Sequence, residues 1–188
     1  MTLHLARLYE QTGSCQDGLD TLRYLREHGA GTDTPAVSLM TGRMLMSCEQ
    51  DAQAVSHLRR AAKSPETRTE AQVRLAVIDA RAGRCAAAVA PLQEHLMDGD
   101  GDWSTPDAGL SLTRCLAALG RLEEAAAAAD ALLTHTDDPQ LQRYVRYLAT
   151  LYRDDPGALA PGEDIWGAVS ADREESAALD ALIDQRRR

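Results

Sequence analysis

Residues 105–139, TPDAGLSLTRCLAALGRLEEAAAAADALLTHTDDP, spell two helices joined by a tight turn. Thr105 offers an N-cap oxygen, Pro106 suits the first helical position, and Asp107 places negative charge at the positive end of the helix dipole. Leu112, Cys115, Leu116 and Leu119 recur at helical spacing, and Gly120 then allows the chain to turn. An alanine-rich second helix runs from Leu122 to Leu132-Leu133, and Asp138-Pro139 repeats the opening device of cap and proline. Such a hairpin leaves apolar faces that only a neighbouring hairpin can cover.

Three weaker versions lie upstream. Aligned on the turn, Gly120 matches Gly13, Glu49 and Gly83, so the turn positions are 36, 34 and 37 residues apart. Five residues after each turn stands a small residue: Gly18, Ala54, Ala88 and Ala125. Seven residues before it stand Ala6, Gly42, Ala76 and Thr113, small enough for helices to approach closely, and nine after it stand Leu22, Leu58, Leu92 and Ala129. A helix–turn–helix unit with a period near 34 resembles the tetratricopeptide repeat (TPR) family, over residues 2–152. The pattern is degenerate: the family's early tryptophan is missing, the chain has no phenylalanine, and Glu49 and Asp79 depart from the motif, Asp79 enough to suggest a locally irregular third repeat. The resemblance implies an all-α, right-handed α-solenoid of about four hairpins, closed by a capping helix and followed by a C-terminal helical tail.

Taken in order, the hairpins are expected at 2–12 with 15–28, 35–47 with 51–63, 66–82 with 85–97, and 106–119 with 122–135. Pro91 falls inside the sixth helix and should kink it or delay its start. The amphipathic run 139–153, with Leu141, Val145, Leu148 and Leu151, is the expected capping helix. The chain then divides into a repeat domain, 1–153, and a linker with an amphipathic helix, 154–188. In the linker, Trp166 reads as a plug packing the tail onto the array, or as a docking motif; a capping box at Asp172 and Glu175 opens the last helix. A further expectation is that the tail can occupy the array's own groove. Asp98-Gly-Asp-Gly-Asp102 has the alternating aspartates of a calcium loop, but Trp103 and Gly109 stand where such a loop needs glycine and glutamate, so a solvated connection is expected.

Composition narrows the function. The 188 residues carry a net charge of −9, which argues against a general nucleic-acid or anionic-membrane binder, and no apolar run is long enough to span a bilayer. Aromatics are only 4% of residues, so the core must be built from Ala, Leu and Val. Cys15, Cys48, Cys85 and Cys115 lack metal-ligand or redox spacing and read as small packing residues of a reducing, cytoplasmic compartment. The histidines are scattered, and there is no phosphate loop, nucleophile elbow or zinc motif, so neither cofactor, metal nor enzymatic activity is expected.

What remains is protein binding. In a TPR-like stack the first helix of each hairpin lines the concave face, and the stripe there falls ten, six and three residues before each turn. That stripe includes Leu3, Arg7, Leu39, Arg43, Met46, Val77, Leu110 and Arg114. Arg74 and Arg81 flank Val77, and Arg143 and Arg146 carry the basic run onto the capping helix. An apolar floor with an arginine ladder would suit an extended peptide bearing carboxylates, because guanidinium binds them bidentately. The matching column lacks the asparagine of carboxylate-clamping TPR domains, so no specific clamp is implied. The expected function is a non-catalytic adaptor or scaffold for an acidic peptide or partner subunit. The alternatives are a secretion-type chaperone holding an export substrate and a self-associating structural subunit.

Overall fold

The computed structural model describes residues 2–28, 34–97 and 106–154, which form nine helices and no strands. They are α1 (Thr2–Gln11), α2 (Cys15–His28), α3 (Pro35–Ser47), α4 (Asp51–Ala61), α5 (Pro65–Arg81), α6 (Cys85–Leu96), α7 (Pro106–Ala118), α8 (Leu122–His135) and α9 (Pro139–Asp154). Thr105, the aspartate-rich stretch 98–102, Trp166, the linker and the terminal helix lie outside the described residues.

Helix starts follow their caps. Thr34 Oγ1 accepts from the Val37 amide at 3.2 Å, with Pro35 at the first position of α3, and Asp138 Oδ1 accepts from the Gln140 amide at 2.9 Å ahead of α9. Helix α5 is unbroken through Asp79, so the third repeat is regular. The carboxylate turns to the guanidinium of Arg84, Oδ1 accepting at 2.9 and 2.7 Å, which keeps its charge out of the core. Helix α6 begins at Cys85 with Pro91 inside it, so the proline does not delay its start.

All four hairpin turns share one geometry. The amide after the turn residue reaches back to the carbonyl five positions earlier: Ser14 to Tyr9, Gln50 to Leu45, Arg84 to Asp79 and Arg121 to Leu116, at 2.8–2.9 Å. The turn residue's own amide bonds the carbonyl three before it, completing a Schellman motif. That motif needs a left-handed residue, and Gly13, Gly83 and Gly120 take φ of 73°, 75° and 74°. Glu49 is held at φ 59° by the same bonds, despite its Cβ. Glu49→Gly should therefore stabilise the chain by about 1 kcal/mol, read as a higher urea midpoint, whereas Gly83→Ala should destabilise it.

The small columns are buried as their spacing requires. Ala6, Gly42, Ala76 and Thr113 lie inside, as do Gly18, Ala54, Ala88 and Ala125 five residues past the turns. One large core runs from the second repeat to α9 and includes Leu58, Leu92, Leu116, Leu132 and Leu148. A smaller cluster joins the first repeat to α3: Ala6 and Leu22 pack with Met40 and Met44. Thr113 carries a cost, since its buried hydroxyl has no hydrogen-bond partner among the described residues.

The cysteines correct the sequence reading. They are not free thiols filling space: Cys15 is bonded to Cys48 and Cys85 to Cys115. Each bridge ties one helical hairpin to another or to its neighbour's inner helix, the first joining the start of α2 to the end of α3, the second the start of α6 to α7. The pairs were obscured because the turn-based alignment puts Cys15 and Cys85 in one column but Cys48 and Cys115 in different ones. Among the described residues there is no metal-ligand cluster, and no helix is long and apolar enough to cross a membrane.

Candidate functional site: the wall of odd-numbered helices

Helices α1, α3, α5 and α7 pack on one another in succession as well as on their hairpin partners, while the even-numbered helices meet each other only weakly. Close spacing on one side and splaying on the other make α1, α3, α5 and α7 the inner wall of the array.

On this wall the expected apolar floor is closed. Leu39, Met46, Val77 and Leu110 are 9%, 6%, 1% and 9% exposed and belong to the packed core. Leu3 lies on α1, but its side chain is outside the described set. Polar groups are what the wall presents.

Arg43 is the centre of that polar surface. Its Nε and Nη2 donate to Glu10 Oε1 and Oε2 at 2.9 and 2.6 Å, a bidentate fork onto the first repeat. Its Nη1 donates to Glu70 Oε1 at 3.0 Å, on the third repeat. Glu70 also accepts from Arg74 Nε at 3.2 Å, one helical turn along α5. One guanidinium thus links three repeats. Burial opposes the charge of Arg43, but the hydrogen bonds and charges of Glu10 and Glu70 outweigh it, so its pKa rises above the ordinary guanidinium value. Arg74 goes the other way, lowered by burial and by repulsion from Arg43, which Glu70 offsets only in part.

The other arginines divide. Arg81 joins α4 to α7, bonding Asp51 Oδ1 at 3.2 Å and also Asp107, two carboxylates in the first turns of their helices. It is therefore a brace between repeats and does not stand with Arg43. Arg7 is exposed and makes no ion pair among the described residues. Arg114 is half-buried near Tyr152, whose hydroxyl is pushed well above the usual phenol range by burial and by Tyr144, with Arg114 opposing. On α9, Arg143 and Arg146 are exposed, and Arg146 reaches Gln142 at 3.4 Å. Glu70 was missed by the turn-based stripe because it lies thirteen residues before its turn; its four-residue spacing to Arg74 was the available signal.

No family model and no curated protein matches this chain. It is similar to solved structures. The crystal structure of the Podosopora anserina putative kinesin light chain with nearly identical TPR-like repeats superposes with a TM-score of 0.57 at 17% identity, covering 97% of this chain and 94% of that one. A second crystal structure, of a singly substituted form of the same protein, gives a TM-score of 0.55 at 17% identity, covering 98% and 92%. With helical hairpins of matching period, four equivalent turns and full-length superposition, the chain is a TPR-like repeat solenoid.

Proposed function

We propose that this chain is a non-catalytic protein-interaction module that receives an acidic peptide or partner segment along the inner wall. TPR-like repeat folds are commonly protein-interaction scaffolds, and the observation that supports this reading here is the row of arginines, Arg7, Arg43, Arg74 and Arg114, on four successive inner helices. Arg43 is committed to Glu10 and Glu70, so its part is to hold the wall in shape. Arg7, at one end, and Arg143 and Arg146, at the other, are exposed.

The roles separate experimentally. Arg43→Ala should lower unfolding free energy by about 1–3 kcal/mol, because it leaves Glu10 and Glu70, on the repeats either side, without their shared guanidinium. Arg7→Ala/Arg146→Ala should leave the urea midpoint unchanged and weaken partner binding about 3–10-fold, with affinity falling as salt rises. The partner is captured from the source extract and identified by mass spectrometry, and its affinity is then measured by calorimetry. An unchanged affinity in the double variant would sink the acidic-partner reading.

The alternatives need different surfaces. An apolar export substrate would need the floor that Leu39, Met46, Val77 and Leu110 have closed, which weighs against a chaperone working through this wall. Self-association is the second reading, favoured by Leu5 and Leu8, 41% and 53% exposed on the first helix. As for location, our reading shifts from the cytoplasm to an oxidising compartment, where disulfides persist.

A further inference from the structure

The two ends of the array are finished differently. Past its first residue, α9 exposes Gln140, Arg143, Arg146, Thr150 and Arg153 among the described residues, and all are polar. At the other end, α1 exposes Leu5 and Leu8.

The other repeats show what that exposure means. Five residues before the turns stand Leu8, Met44, Ile78 and Cys115. Leu8 is 53% exposed, whereas its three counterparts are 0%, 4% and 1% exposed. Two of them are visibly covered by the hairpin before. Met44 Cε occupies the space that a side chain at Gly18 of α2 would need, and Cys115 is bonded to Cys85 of α6. Leu8 therefore lies in the column with which an inner helix docks on a preceding helix pair. Leu5 stands one turn away, and its counterpart Leu112 is fully buried.

The charge on this face has one sign. His4 and Arg7 share the open side of α1 with the two leucines, opposite the buried Ala6. The single acid of α1, Glu10, is held by Arg43. A second copy would bring the same basic groups to the contact. It would also bring only two leucines, well short of the roughly 800 Å² per partner that stable free association buries. A face this small suits a tethered occupant, because the tether supplies an effective concentration on the order of millimolar.

We propose that this chain's own C-terminal segment, residues 172–185, docks on the open face of α1. Its sequence has the matching pattern. Leu179, Leu182 and Ile183 make a helical stripe as narrow as that of Leu5 and Leu8, with Glu175 one turn earlier on the same side and Asp180 at its edge. Leucines meet leucines, and the carboxylates face Arg7. The tether is long enough. With packed helices about 10 Å apart, the seams between α1 and α9 add to roughly 40 Å. The eighteen residues from Asp154 to Asp172 span up to about 60 Å when extended. Docked there, the segment closes the first repeat as α9 closes the last, whether or not the inner wall receives an acidic peptide.

Two variants of the full chain, each read at the opposite end, test this. Leu5→Ser/Leu8→Ser should speed tryptic cleavage after Arg173 at least about 10-fold over the parent, measured by mass spectrometry. Both leucines are exposed, so the array should keep its helical circular dichroism. Leu179→Ser/Leu182→Ser should raise hydrogen exchange in α1 at least about 10-fold and leave α5 to α8 unchanged. Arg7→Glu should speed the same cleavage at least about 3-fold by replacing attraction with repulsion. Equal cleavage in the parent and Leu5→Ser/Leu8→Ser overturns the proposal, as does α1 exchange that ignores the Leu179→Ser/Leu182→Ser change. A parent that sediments as a dimer, with Leu5→Ser/Leu8→Ser a monomer, also overturns it by assigning the face to a second copy.

Discussion

Reducing both disulfides is expected to lower the unfolding free energy by about 2–4 kcal/mol for each bridge. That magnitude follows from loop closure: the bridged cysteines are 33 and 30 residues apart, and cross-links of that span restrict the unfolded chain by similar amounts. Their placement gives the loss a direction. The Cys15–Cys48 bridge anchors a first repeat that meets α3 through a cluster of only four buried apolar residues among those described, whereas Cys85–Cys115 reinforces a seam already inside the large core. In a repeat array, stability is a sum over units and their interfaces, so the weakest interface opens first. Urea unfolding with and without reductant should show the lower midpoint. Hydrogen exchange should rise first in α1 and α2, and Cys15→Ser/Cys48→Ser should reproduce that local loss without affecting α6 and α7. If reductant leaves both midpoint and exchange unchanged, the bridges contribute nothing in solution.

The second large effect concerns Gly42 and Leu58. A Cβ built on Gly42 would sit 2.6 and 2.7 Å from Leu58 Cδ2 and Cγ. Leu58 is fully buried, so it has little room to withdraw. Gly42→Ala should therefore destabilise the array by about 1–3 kcal/mol, even though alanine is the better helix former by about 1 kcal/mol. Leu58→Ala should cost about 2–5 kcal/mol through lost contact and a cavity. Together the two should cost less than their sum, because the new methyl enters the space that the leucine vacates. Chemical denaturation of the four chains closes the cycle, and strict additivity would show that contact with Leu58 does not set the need for glycine at position 42. At Gly18 the corresponding obstacle is the far end of Met44, 2.3 Å away at Cε, which is flexible and should yield at lower cost.

What could be read in the sequence was whatever is encoded within a few residues. Thr34-Pro35 and Asp138-Pro139 start helices because the cap and the following amides are adjacent in the chain. The turn register was visible even at Glu49, because the hairpin pulls that residue into the left-handed region its glycine counterparts occupy freely. The columns of small residues marked buried positions, since a fixed period returns each to the same side of its helix.

Tertiary structure decided the rest. The pairing of Cys15 with Cys48 and of Cys85 with Cys115, and the grip of Arg43 on Glu10 and Glu70, all join different repeats. So does the closing of the floor at Leu39 and Val77. The physical reason is distance along the chain: helix, cap and turn are set by neighbours three to five residues apart. Contacts between repeats depend on how far each hairpin rotates and slides on the last, a quantity fixed by packing of the whole array.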